Sequence, residues 1–453
     1  MTKTQSMKIK TLLFSLVICS FGGFAQDVVE PALAAFPDEE NVLNINLETV
    51  LRLAGADNLQ IAAVRDKMDI ASARKSAGLQ YLFPNILPGT YLFTFNGEAQ
   101  NTDGSFIDVD KDQQWAGVGI SANWNFGESV YKYLAAKQQV ETASFEYQAT
   151  KNQQILNSVT VYMELLGAQA KMHSMDLMLT RTKDIADQIS IMVDQGLRYK
   201  SDELLAQTRM NQIEIQLNLI VEEIKHLSNR LLNTLNIRDD VILLGEEERL
   251  TLVKLFTDRV FSDDFTLPAM DSVYNVRPEV LSMKSNIKSL NYARKTLTTG
   301  ILLPDIKAGV NEGMFGPAFD PASNQLSYYA GIHWTIPLGE LIIGGGRKEY
   351  KATISYENHL LAAVQNTIRE QVNNAYSSML SANNNMTAGR KAVTLSEQAL
   401  SQSIERQKLG TALPLEVFQI QESLIEAKMQ YIDAITAYNQ AQYKLFVALG
   451  NKL

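Results

Sequence analysis

Histidine, cysteine and glycine are the residues of this 453-residue chain whose spacing could carry chemistry. The chemistry would be metal binding, thiol reactions or phosphate binding. The four histidines, His173, His226, His333 and His359, are scattered without metal-ligand spacing. Cys19 is the single cysteine and lies in an apolar N-terminal run, which excludes disulfides and thiolate sites from the rest of the chain. Gly344-Gly345-Gly346 has the look of a phosphate loop but lacks the Lys-Ser/Thr pair that would follow one. Glu246-Glu247-Glu248 reads as a solvated loop. No nucleophile sits with its base. The chain reads as a non-enzyme with no cofactor and no metal.

The first 25 residues read as a secretion signal. Lys3, Lys8 and Lys10 precede the apolar stretch Thr11 to Phe21, and Gly23-Phe24-Ala25 offers small residues for cleavage. That stretch is too short to span a bilayer as a helix. Losing three lysines and no acids takes the formal charge from −9 to −12. No basic surface for nucleic acid is indicated. Residues 26–42 lack periodicity and read as an extended segment.

The residues that do show a pattern alternate. Val118, Ile120, Ala122, Trp124 and Phe126 share one face of a predicted strand, and Gly117, Gly119, Ser121, Asn123 and Asn125 share the other. Leu326, Tyr328, Ala330, Ile332, Trp334, Ile336 and Leu338 repeat this against Ser327, Tyr329, Gly331, His333 and Thr335. Ile306, Ala308 and Val310 stand against Lys307, Gly309 and Asn311, and Tyr91, Phe93 and Phe95 against Thr90, Thr94 and Asn96. Strands are expected over 87–97, 114–126, 304–315 and 326–338. Apolar outside and polar inside, over about ten residues, is the pattern of a transmembrane β-strand. Trp115, Trp124 and Trp334 all fall in or beside these segments, as an interfacial aromatic girdle requires. On this reading His333 and Lys307 face a lumen. Four strands cannot close a barrel, and open edges are not tolerated in lipid, so the chain must oligomerise. Two copies give eight strands and a filled interior. Three give twelve and an aqueous bore, which makes the trimer the better solution.

The elements around the strands come twice. Ala73-Arg74-Lys75 and Leu82-Phe83-Pro84-Asn85-Ile86 return as Ala293-Arg294-Lys295 and Leu302-Leu303-Pro304-Asp305-Ile306. Gly119-Ile120 through Phe126-Gly127 return as Gly331-Ile332 through Leu338-Gly339. Tyr162, Leu166, Gly196, Asp202 and Leu231 map onto Tyr376, Leu380, Gly410, Glu416 and Leu445. Each copy reads helix, strand, strand, long helix, helix: the first over 43–237, the second over 268–453, with a linker at 238–267. Long helices are expected over 129–195 and 342–408. Each would be about 100 Å long and would need lateral partners. The glycine triplet marks the elbow from strand to helix.

This duplicated layout resembles the TolC family of outer-membrane efflux and secretion proteins, over nearly the whole chain after the signal. The resemblance implies a homotrimer with a 12-stranded barrel in outer-membrane lipid and a long periplasmic α-helical barrel. It implies an exit duct that works with a periplasmic adaptor and an inner-membrane transporter. It also implies that the hairpin turns form a periplasmic tip. Gly410-Thr411 matches the family turn, Glu416 falls where an acidic constriction sits, and Gln419 replaces a second acid. In the first copy Gly196 and Asp202 hold the matching places. Ala412 and Gln407 stand where the family's linking arginine and tyrosine are expected. Acid preference at a helix start accounts for Glu416 and Asp202 equally well. The competing class is a periplasmic coiled-coil adaptor or scaffold without a pore, which would carry one helical hairpin flanked by β-rich domains.

Overall fold

The computed structural model describes residues 41–453 apart from 57, 81, 248–249, 262–264 and 321–322. The expected secretion signal and nearly all of the extended segment lie outside these residues. The first copy comprises α2 (Leu59–Gln80), β2 (Asn85–Gln100), β3 (Phe106–Asn125), α3 (Phe126–Asp194) and α4 (Lys200–Leu235). The second comprises α6 (Pro278–Thr296), β5 (Asp305–Pro317), β6 (Ser323–His333), α8 (Gly345–Lys408) and α9 (Pro414–Ala448). The strand pair β1 (Val42–Ile45) and β4 (Ile242–Gly245), with α1 (Leu47–Ala56), α5 (Met270–Tyr274) and α7 (Leu338–Ile343), completes the described elements named here.

The long helices form because nothing interrupts them and their ends are capped. Asn125 accepts the backbone N–H of Glu128 at 2.8 Å, and Glu128 puts an acid in the first turn of α3. That helix then runs 69 residues, about 100 Å. Pro414 opens α9, where a missing N–H costs nothing. Pairing stabilises both long helices. α3 packs on α2, α4, α6 and α9, and α8 packs on α6 and α9. The apolar cores lie between the helices, with Ile45, Leu243 and Leu244 of the β1–β4 pair closing one of them. One surrounds Tyr162, Leu165 and Leu231, one Val372, Met379 and Leu445, and one Ile189, Ile213 and Val417.

A belt ties the two ends of the first copy. β1 and β4 pair in parallel, Val42 to Ile242 through Ile45 to Gly245. The acidic run expected as a solvated loop instead clasps the start of α1. Asn46 Nδ2 donates to Glu246 at 3.0 Å, and the Glu247 carboxylate accepts from the Tyr162 hydroxyl and the Leu47 N–H. Burial pushes the Glu247 carboxyl above its usual range. Tyr443 is pushed up to about 12 by burial and by the Glu247 charge. Downstream, Val253 donates to Asn439, and Leu255 and Phe256 donate to Gln442, so side-chain amides of α9 replace strand partners.

The four long strands form one antiparallel sheet in the order β2-β3-β5-β6. Every pairing keeps a constant register without a bulge, and every pair joins residues of like parity: Tyr91 with Trp115, Trp115 with Phe315, Lys307 with Gly331. Even-numbered residues therefore share one face and odd-numbered residues the other. This corrects the expectation for the first strand. Tyr91, Phe93 and Phe95 lie with Gly117, Gly119 and Asn123, not with Val118 and Ile120. It also removes Trp115 from a common girdle with Trp124. A pattern within one strand shows two faces but not which of them continues into its neighbour.

The element ends differ too. β3 begins at Phe106, because Phe106–Gln113 pair with Phe93–Gln100 across a turn at Asn101–Ser105 where Gly104 has φ 86°. The acids Asp108, Asp110 and Asp112 hid that stretch from an apolar-outside criterion. β6 ends at His333 because its partner begins at Asp305, just after Pro304, which has no N–H to donate. The second long helix begins at Gly345, since Gly344 breaks α7 from α8 at φ 65°.

Candidate functional site

Two regions collect the residues singled out by the sequence: the hairpin ends of the long helices and the strand wall. Both hairpin turns are built alike. Gly196 has φ 70° and Gly410 φ 72°, a region nearly closed to residues with a Cβ. Gly196 N–H bonds the Val193 carbonyl and Leu197 N–H that of Met192. Gly410 N–H bonds Gln407 and Thr411 N–H bonds Arg406. Each is a glycine-terminated helix end with its last carbonyls satisfied.

At the second turn, Arg406 organises the candidate residues. Its Nη1 lies 2.6 Å from Glu416 Oε1, its Nη2 3.5 Å from the Thr411 carbonyl, and the Thr411 hydroxyl donates back to the Arg406 carbonyl at 3.0 Å. Glu416 is thus paired within its own hairpin, and Gln419 is exposed a turn further along α9. In the first copy Lys200 pairs with Glu203 at 2.6 Å, next to Asp202. The turns meet through Arg198, whose Nη2 donates to the Ala412 carbonyl at 3.1 Å. Arg406 and Arg198 were not singled out from the sequence. Arg406 carried a signal, a basic residue in the last turn of α8 where the helix dipole favours one. Arg198 stands two residues after the first-copy glycine, the place that Ala412 holds in the second.

In the sheet, Lys307 and His333 both lie on the odd face. His333 Nε2 is 3.6 Å from the buried Asp305 carboxylate, which also accepts from the Thr335 hydroxyl at 3.0 Å. Trp124 and Trp334 make the same kind of contact. Trp124 Nε1 donates to the Leu82 carbonyl at 3.0 Å and Trp334 Nε1 to the Leu302 carbonyl at 3.3 Å, so each indole anchors the segment that enters a strand. Trp115 lies nine residues from Trp124, about 30 Å along β3.

The even face carries a broad apolar surface that nothing among the described residues covers. Tyr328 is 81%, Ile86 68%, Leu326 65% and Ile332 62% exposed. An open apolar patch of this kind marks an interaction with lipid or protein. The odd face is the more covered one: Trp115, Gly119, Asp305 and Gly309 are buried, whereas Ala122 alone is buried among described even positions of the sheet. Among the described residues no helix is long and apolar enough to cross a membrane, and no group of acidic, histidine or cysteine side chains could hold a metal ion.

No family model and no curated protein matches the sequence. Solved structures do match the fold. The chain is similar to the outer-membrane channel OprN, with a TM-score of 0.73 at 15% identity over 96% of this chain and 99% of that one. It is similar to the Campylobacter jejuni CmeC outer membrane channel, with a TM-score of 0.72 at 15% identity over 98% and 94%. It is also similar to the open state of the Neisseria gonorrhoeae MtrE outer membrane channel, with a TM-score of 0.73 at 16% identity over 90% and 89%. The long helices and the four-stranded antiparallel sheet are the fold of these channels.

Proposed function

We propose that this chain is a TolC-family subunit of a homotrimeric outer-membrane channel, a passive exit duct across outer membrane and periplasm. The observation that carries the reading is the sheet. Its even face carries an apolar surface, interrupted by Glu312, that no described residue covers, and its edges β2 and β6 have no strand partner among the described residues and run in opposite directions. Copies can therefore join edge to edge in antiparallel fashion until the ring closes, which removes every edge from lipid. Val118, Ile120, Val310, Leu326, Tyr328 and Ile332 then face lipid. Ser121, Asn123, Lys307, Asn311 and His333 line the bore. The helices, about 100 Å long, continue the wall into the periplasm. Transport through such a duct needs no covalent chemistry and no cofactor.

The protein should resist carbonate extraction from envelopes, run as a trimer by native mass determination in detergent, and conduct ions in planar bilayers. Release in carbonate as a monomer would instead fit an adaptor or scaffold without a pore.

The partners in this reading are a periplasmic adaptor that grips the hairpin ends and an inner-membrane transporter that feeds the duct. Gly410→Val should separate docking from assembly. Nothing lies within 4 Å of a Cβ at Gly410, so the change strains only the backbone, by about 1–2 kcal/mol. Export and adaptor crosslinking should fall while trimer level stays normal. Unchanged crosslinking in the envelope would remove Gly410 from the docking surface.

A further inference from the structure

The odd face of the sheet changes character along its length. Near the helices it is polar, with Asn123, Lys307 and His333. Further along it carries rings. Tyr91, Trp115 and Phe315 are direct cross-strand partners, one row across β2, β3 and β5. The Tyr91 and Trp115 centroids lie 5.6 Å apart, and Phe93 lies 6.2 Å from Tyr91. Trp115 is only 9% exposed in the single chain, against 58% for Trp334. The neighbouring row on the same face is glycine across the same three strands, Gly89, Gly117 and Gly313, and ends on Gln325 of β6. A Cβ on Gly117 would stand 2.2 Å from the Glu312 carbonyl oxygen, so the strands approach where only glycine fits. On β2, β3 and β5 no side chain from that row competes with the rings for space. No bulge returns the rings to the even face.

The row also sits at a boundary. On the even face Val118, Ala116 and Met314 give way there to Gln114, Asp112 and Asp110, so the apolar band stops at the level of the rings. The acids Asp108, Asp110 and Asp112 continue the even face beyond it.

We propose that Tyr91, Trp115 and Phe315 form an aromatic collar inside the outer mouth of the duct, which narrows it and binds flat aromatic cations. The collar rests on the duct reading above. Rings offer a face to such cations by stacking and by cation–π attraction, which a wall of serine, asparagine and glycine does not.

The test uses the purified trimer in planar bilayers, with berberine, a flat aromatic cation, added on the hairpin side. Replacing Tyr91, Trp115 and Phe315 together by Leu should raise the half-blocking concentration about tenfold. Tetraethylammonium, equally charged but without a ring, should block both proteins alike. If the triple variant does not reach the trimer, Phe315→Leu alone should give a shift of about threefold. The three tryptophans allow an independent check of the face. With Trp124 and Trp334 changed to Phe, brominated phospholipid should leave Trp115 emission nearly intact. With Trp124 as the only tryptophan it should quench strongly. Equal berberine block in wild type and variants overturns the collar, and so does strong lipid quenching of Trp115. A wild-type trimer that passes no current overturns the duct, and the quenching then still decides the face of Trp115.

Discussion

Gly127→Val should leave little assembled protein in the membrane fraction. Gly127 opens α3 at the elbow where β3 leaves the sheet, and it is buried against the turn that precedes β5. A Cβ there would lie 2.0 Å from the Gly300 carbonyl oxygen and 2.7 Å from its carbon. Gly300 is held in return, since its own Cβ would meet the Gly127 carbonyl oxygen at 2.8 Å. Backbone faces backbone, so no flexible side chain can move aside. Relief requires shifting β3 relative to β5, whose register runs unbroken from Asn125–Asp305 upwards. Overpacking between rigid elements costs about 1–3 kcal/mol and sometimes more, and this contact belongs at the upper end. Gly339 is the internal control. It holds the equivalent place in the second copy, yet nothing lies within 4 Å of its Cβ position. Gly339→Ala should assemble normally and Gly127→Ala should not. Equal trimer yields from the two alanine variants would show that the elbow can give way.

Arg406→Gln should make the channel more cation-selective, by about threefold or more in permeability ratio, if the hairpin ends form its narrowest point. Glu416 lies where an acidic ring would act, but its carboxylate is 2.6 Å from the Arg406 guanidinium of the same hairpin. The pair is largely exposed, so it contributes little to stability, about 0–1 kcal/mol. Its effect on the local field is larger. It leaves each hairpin end near neutral, and removing the cation frees one negative charge per chain, three around the axis of a trimer. Glu416→Gln should do the reverse and expose Arg406 to passing anions. The double change should return selectivity close to wild type, because it removes both charges. Reversal potentials under a salt gradient decide this. If all three variants match wild type, the hairpin ends do not set selectivity, and Glu416 serves as a helix-start residue tied to Arg406.

Much of the architecture is determined by short-range pattern, and the sequence by itself reveals it. Proline-free runs make the long helices, period-two alternation makes the strands, and Gly196 and Gly410 mark the turns because only glycine takes positive φ cheaply. The duplication exposed the element order, since its matched blocks fall in corresponding elements of both copies. What tertiary structure decided is everything that depends on one segment meeting another. Tyr91, Phe93 and Phe95 alternate with Thr90, Thr94 and Asn96 as an outward apolar set would. Their face is set by hydrogen bonds to β3, and that register is not written within β2 itself. Alternation within β3 already separates Trp115 from Trp124, but only the pairing puts Trp115 in one row with Tyr91 and Phe315. Glu247 sits in an acidic run that reads as solvent-exposed until Leu47 and Tyr162, distant in the chain, fold onto it. Local rules fix a residue's conformation, whereas its neighbours depend on which distant backbone it pairs with. For this chain that pairing sets which rings share a face and a row of the sheet.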